Sequence, residues 1–132
     1  MEQIQVPVSP GELLDKITIL EIKSERMNDA KKLANVRLEL SILNETWNKS
    51  VSPDPVIDGI HTELKRINEA LWEIEDDIRD KERAGEFDAR FVELARSVYV
   101  TNDQRAAAKK ELNIHLGSDI VEEKSYADYG AD

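Results

Sequence analysis

The sequence predicts an all-α protein: a four-helix, hairpin-based bundle whose third and fourth helices are long and coiled-coil-like. Three observations lead there. Apolar residues recur at alternating steps of three and four along most of the chain, as one buried face of a helix requires. The breaks between these stretches are short, and each carries helix-capping residues. Strand-like alternation is confined to Ile4, Val6 and Val8, where Pro7 interrupts it. The 132 residues fit a single domain over 1–132, with residues 1–9 as an extended arm along the body and 118–132 as a C-terminal tail.

The first helix starts at Ser9-Pro10, with Glu12 three residues after Ser9. This is a capping box with proline at the first helical position, and the helix runs to about Met27. Asn28-Asp29 ends it and caps a second helix, about Ala30 to Lys49, with the stripe Leu33, Val36, Leu40, Leu43 and Trp47. The short joint makes an antiparallel hairpin. Residues 50–55 hold two prolines and form the one evident loop. Asp54-Pro55 then opens a third helix to about Ala84, striped by Ile57, Ile60, Leu64, Ile67, Leu71, Ile74 and Ile78. At 1.5 Å per residue it is about 45 Å long. Gly85 is its C-cap and Asp88 the next N-cap, with Phe87 placed to staple onto Val92. The fourth helix carries Phe91, Leu94, Val98, Thr101, Arg105, Ala108, Leu112 and His115 up to Gly117. Its polar middle, Val100 to Asp103, is either a break that recaps at Thr101 or Asn102, or a continuous helix turning polar groups inward; unbroken phase favours continuity. Ile120, Val121, Tyr126 and Tyr129 are the tail's candidate anchors.

Composition excludes several functions. There are 28 acidic and 18 basic side chains, a net charge of −10, which argues against nucleic-acid backbone binding. No cysteine is present, so disulfides, thiol catalysis and cysteine-held metals are excluded together. No apolar run is long enough to span a membrane, and MEQIQVPVSP lacks the pattern of a secretory signal, so a cytoplasmic protein is expected. His61 and His115 lack ligand spacing and read as seam or capping residues, and no phosphate loop exists. No cofactor is implied.

Polar residues inside apolar stripes are the main lead. Glu21 projects between Leu14 and Ile17, Thr101 and Arg105 fall in core phase beside Tyr99 and Asn102, and Asn68 and Glu75 flank the third helix's stripe. A charge in a low-dielectric interior needs a partner, so Arg105 is expected to meet a carboxylate, first Glu21 or Glu75. The cluster is a registry device for the hairpins, a small-anion pocket built from Glu21, Tyr99, Asn102 and Arg105, or no cluster at all if a break at Thr101 leaves Arg105 exposed. The helix around it, from Arg90 to Lys110, is locally basic, with Arg90, Arg96, Arg105, Lys109 and Lys110 against Glu93 and Asp103. A second candidate is a magnesium site. Glu73 and Asp76 give the Glu-x-x-Asp spacing of helical nucleotide pyrophosphohydrolases, but Glu21 and Glu25, the other pair required, are four apart rather than three. The alternative is a solvated acidic face. A third candidate is a partner surface: Leu38 and Ile42 lie opposite the second helix's main stripe, and Trp72 lies off the third helix's stripe. Ile19 and Ile22 make the first helix apolar on two sides as well, so it is either central in the fold or faces a partner.

PVSPGELLDKITILEIKSERM (Pro7 to Met27) resembles the opening of an uncharacterised bacterial family, a domain of unknown function with the pattern PVSxGELLDKITILEIK. The family pattern returns in NEALWEIEDDIRDKE, FVELARSVYVTNDQRAAAKKELN and GSDIVEEKSY, so the resemblance covers nearly the whole chain. It implies a small bacterial protein and brings no activity with it. Its blocks include Lys16, Glu21, Asp76, Asp77, Arg79, Arg96, Tyr99, Asn102, Arg105, Glu122, Glu123 and Lys124. Leu13, Ile17, Glu25 and Arg26 are loosely similar to the first helix of helical chorismate mutases. Those enzymes surround a dianion with cations, for which this chain offers Arg26, Arg37, Arg96, Arg105 and Lys109. The later helices depart from that pattern. The reading that follows is a non-enzymatic helical interaction or small-ligand-binding module that self-associates. The alternatives are a chorismate-mutase-like anion-binding enzyme centred on Arg105, or a magnesium-dependent pyrophosphohydrolase.

Overall fold

The structure is a computed structural model and describes residues 1–128. Four helices follow one another: α1 (Pro10–Arg26), α2 (Ala30–Ser50), α3 (Pro55–Ala84) and α4 (Ala89–His115), with no strand among the described residues. Cap chemistry sets their starts. Ser9 Oγ accepts from the Glu12 N–H at 3.1 Å, Asp29 from Lys32 at 3.0 Å, Asp54 from Val56 at 2.8 Å and Asp88 from Phe91 at 2.9 Å. The Glu12 carboxylate does not complete a capping box; it is drawn to Lys109 at 2.6 Å. Gly85 ends α3 at φ 67°, a left-handed conformation that costs glycine little, and the next N–H closes back onto the Lys81 carbonyl. Phe87 meets Phe91 edge-on at 5.2 Å between centroids. α4 runs unbroken through residues 100–103 and turns Thr101 and Arg105 inward.

Burial makes α1 the central helix. Leu13, Leu14, Ile17, Leu20 and Ile22 are buried on it together with Gly11, Asp15 and Thr18, so its apolar sides face other helices of the same chain. Among the described residues α1 alone packs against all three other helices, and no α2 Cα comes within 8 Å of α3 or α4. The α3–α4 hairpin is clasped at one end by His115 on Asp54 at 2.6 Å and at the other by Lys81 on Asp88 at 2.9 Å. Leu14, Ile57, Ile60, Leu64, Ile67, Ala108 and Leu112 form the core, with Trp47 and Val51 packed against it. Each such aliphatic side chain contributes about 1.5–3 kcal/mol.

Two features depart from expectation. Residues 1–8 are exposed, with Ile4 at 78%, so the arm's apolar residues do not lie against the body. The far half of the α3–α4 hairpin is thinly buried: between Asn68 and Thr101 only Leu94 is fully buried, and Leu71, Ile74, Ile78, Phe91 and Val98 are half-buried. α1 does not reach that far.

At its N-terminal end α1 touches α4 closely. The Gly11 N–H donates to Asn113 Oδ1 at 2.7 Å, and a Cβ at Gly11 would sit less than 3.0 Å from both the Lys109 carbonyl oxygen and Asn113 Oδ1. Gly11→Ala should therefore cost about 1–3 kcal/mol by overpacking against backbone. Gly59→Ala, in an α3 position with nothing within 4 Å of its Cβ, should be neutral or stabilise by up to about 1 kcal/mol. Urea unfolding of the two variants checks the contrast.

Candidate functional site

The inward polar cluster forms around a residue the sequence reading did not single out. Asp15 of α1 has a side chain 1% exposed. Arg105 of α4 grips it with two parallel hydrogen bonds, Nε to Oδ1 at 2.8 Å and Nη2 to Oδ2. Asn68 of α3 donates to Asp15 Oδ1 at 2.9 Å and to Thr18 Oγ1 at 2.9 Å, and Thr18 donates to the Asp15 carbonyl at 2.8 Å. Burial pushes the Asp15 carboxyl up, but the bonds from Arg105 and Asn68 outweigh it and hold it below the ordinary 3.8. No buried side-chain nitrogen or oxygen among the described residues lacks a partner.

Arg105 does not pair with Glu21 or Glu75, as expected from sequence. Glu21 is half-buried, as its phase predicts, but it faces α3 and bonds His61 Nε2 at 2.7 Å. Glu75 is exposed and pairs with Arg79, one turn away. The registry role expected of the cluster thus falls to Asp15, which reaches both hairpin helices at once.

Above the pair lies an open cleft of about 510 Å³. Its floor is Glu12, Asn102, Arg105, Ala106 and Lys109, and residues 122–126 of the tail form its wall. Lys109, its side chain only 11% exposed, donates to Glu12 at 2.6 Å and to Glu122 at 2.9 Å. Burial pulls the Lys109 ammonium down, and these two carboxylates more than restore it, so it stays charged. The tail returns antiparallel along α4, with Glu123 at 3.7 Å from Lys110 and Lys124 on Asp103. Lys124 also lies 5.7 Å over the Tyr126 ring. Of the sequence candidates, Asn102 and Arg105 share this cleft; Tyr99 is 45% exposed and Glu21 belongs to the α1–α3 seam. Lys109, Glu12 and Glu122 complete it. Lys109, already named among the cations for a dianion, lies in core phase one turn beyond Arg105, and that phase brings it here.

The other candidates are dispersed. Glu73 is exposed and lies 3.6 Å from Arg26, while Glu25 pairs with Lys65 at 2.9 Å. No group of three or more His, Cys, Asp or Glu among the described residues is arranged to hold a metal ion. Of the cations expected around a dianion, Arg105 and Lys109 share the cleft, and the other three are scattered. Arg26 is with Glu69 and Glu73, Arg37 lies along α2, and Arg96 lies along the outer side of α4. Leu38 is 63% exposed, whereas Ile42 and Trp72 are half-buried, Trp72 on a helix that the α2 backbone does not approach. Of the proposed tail anchors, Ile120, Val121 and Tyr126 are exposed, and Tyr129 lies outside the described residues. No helix among the described residues is long and apolar enough to cross a membrane.

Asn68→Ala should destabilise by about 1–3 kcal/mol, since it strips a donor from a buried carboxylate. His61 carries a pH signature. The hydrogen bond His61 donates to Glu21 outweighs burial and raises it above its ordinary 6.5, so the pair's stabilisation is full below pH 6.5 and is lost as pH rises through the raised value. The melting-temperature gap between wild type and His61→Gln should therefore be larger at pH 5.5 than at pH 8.5.

Searches against curated proteins and solved structures found no match to this chain. A family model does match, over residues 4–130, which takes in all four helices, the Asp15 cluster and the tail segment on the cleft. The chain therefore belongs to the family of unknown function DUF6165.

Proposed function

We propose that the chain is a non-enzymatic helical interaction module of the bacterial cytoplasm that works as a homodimer, joined through the far half of the α3–α4 hairpin. The observation that carries this reading is the unfinished burial of that hairpin. Two helices alone cannot enclose the stripe of Leu71, Ile74, Ile78, Phe91 and Val98, which stays half-buried. Two hairpins packed side by side would enclose it as a four-helix bundle. The total surface agrees: a compact 15.0 kDa monomer exposes about 7,000 Å², whereas this chain exposes 9268 Å². The exposed arm and the segment after α4 contribute to that excess together with the uncovered hairpin.

Charge favours a second copy as the occupant. Asp76, Asp77 and Glu82 on α3 and Arg96 on α4 are exposed and make no ion pair among the described residues. A groove of about 510 Å³ runs along the outer side of α4 between Ala89, Val92, Arg96, Ser97 and Val100. A two-fold axis along the hairpin sets α3 of one copy beside α4 of the other, so the unpaired carboxylates face the unpaired arginine twice over. The lack of cysteines fits a reducing compartment.

Light scattering should find a species of twice the chain mass at micromolar concentration. Arg96→Asp and Asp76→Arg should each weaken association by about tenfold. The double variant, with the charges exchanged, should recover it. A monomer throughout would overturn the reading, and a dimer indifferent to both reversals would overturn this surface.

A further inference from the structure

The cleft on α4 lies at the opposite end of the hairpin from that surface, and its chemistry is independent of it. We propose that it is a binding site for a small oxyanion, a carboxylate or phosphate group, in which Glu122 of the tail serves as the chain's own stand-in ligand.

The donors are fixed before any ligand arrives. Asp15 uses Arg105 Nε and Nη2, which locks the guanidinium plane and leaves the Nη1 edge outside that pair, in a residue that lines the cleft. Lys109 is anchored by Glu12 on one side and points a second N–H at the Glu122 carboxylate. The Asn102 amide lines the same wall. Lys109 bonds the Glu122 carboxylate, and Arg105 and Asn102 line the same cleft, so a lysine, an arginine edge and an amide are at hand for an oxyanion. The group now seated there is itself an oxyanion, delivered by the chain.

The way the tail is held indicates that it can be displaced. Ile120 is 46% exposed and Val121 37%, so no apolar side chain pins the segment down. Besides Lys109, the Lys110–Glu123 pair at 3.7 Å, with both side chains at least half exposed, and the Lys124–Asp103 pair hold residues 122–124. Exposed pairs of this kind are individually weak. A diffusible anion therefore competes with one tethered carboxylate, and the docked tail lowers its apparent affinity by the fraction of time the site is free.

The test titrates inorganic phosphate and malonate into the full chain by calorimetry, at constant ionic strength, with chloride as control. Wild type should bind one or both at an affinity on the order of millimolar, the effective concentration of a short tethered competitor. Glu122→Gln should bind about five- to tenfold more tightly, as expected for a tail docked most of the time. Which anion wins separates phosphate from carboxylate recognition. Asn102→Ala, at a half-buried position whose loss leaves the Asp15 cluster intact, should weaken both. Lys109→Met should abolish binding, with circular dichroism reporting whether the fold survives. No binding by either protein, or equal binding of chloride, would overturn the site. Binding that Glu122→Gln leaves unchanged would overturn the stand-in role.

Discussion

The structure turns on one buried carboxylate. Asp15 sits on the central helix, is 1% exposed, and cannot remain charged there without donors. Its donors come from two other helices, Asn68 on α3 and the bidentate Arg105 on α4. Apolar side chains can slide past one another by a turn and still be buried. A carboxylate that must meet a guanidinium and an amide together cannot, because a slipped register leaves an unpaired charge in the core. The cluster therefore fixes how α1 lies across the α3–α4 hairpin, and Gly11 against Asn113 and Lys109 allows the close approach that this register demands. The energy of the core comes from the leucines and isoleucines around Leu64; its uniqueness comes from Asp15.

That placement divides the molecule. Where α1 covers the hairpin, side chains are fully buried and the polar groups are satisfied. Beyond its reach the hairpin continues as two helices with a stripe too wide for them. The covered end holds an arginine whose orientation is fixed by Asp15 and a lysine anchored by Glu12, the setting for the cleft under residues 122–126. The uncovered end presents a half-buried apolar stripe and the exposed Asp76, Asp77, Glu82 and Arg96, which make no ion pair among the described residues. The net charge of −10 is divided along the same line. The locally basic stretch of α4 is largely spent on Asp15, Glu12, Glu122 and Glu123, and Arg96 makes no ion pair among the described residues.

Much of the fold was legible in the sequence. Ser9, Asp29, Asp54, Asp88 and Gly85 each perform the capping that their residue type and position suggest, because capping is a local interaction. The stripe on α3 is legible for the same reason. Arg105 and Thr101 were readable as inward-facing from unbroken phase alone. Asp15 was not, because Leu13, Ile17 and Leu20 already give α1 one complete apolar face without it. The line Gly11, Asp15, Thr18, Ile22 also has helical spacing, and all four are buried. It reads as polar only until the helix is known to be central. The partner of Arg105 depends on which carboxylate long-range packing brings near, and no local pattern encodes that. The tail segment was equally opaque: it reaches the body through ion pairs with residues 13 to 21 positions away.

The claim that the Asp15–Arg105 pair fixes the packing is tested most directly by a double-mutant cycle with Asp15→Leu and Arg105→Met, read by urea unfolding. Each single change leaves one buried charge unpaired and should cost about 3–5 kcal/mol, and the double variant should cost less than either, with a coupling of several kcal/mol. Additive losses would contradict the account, since they would mean that the two side chains do not depend on each other.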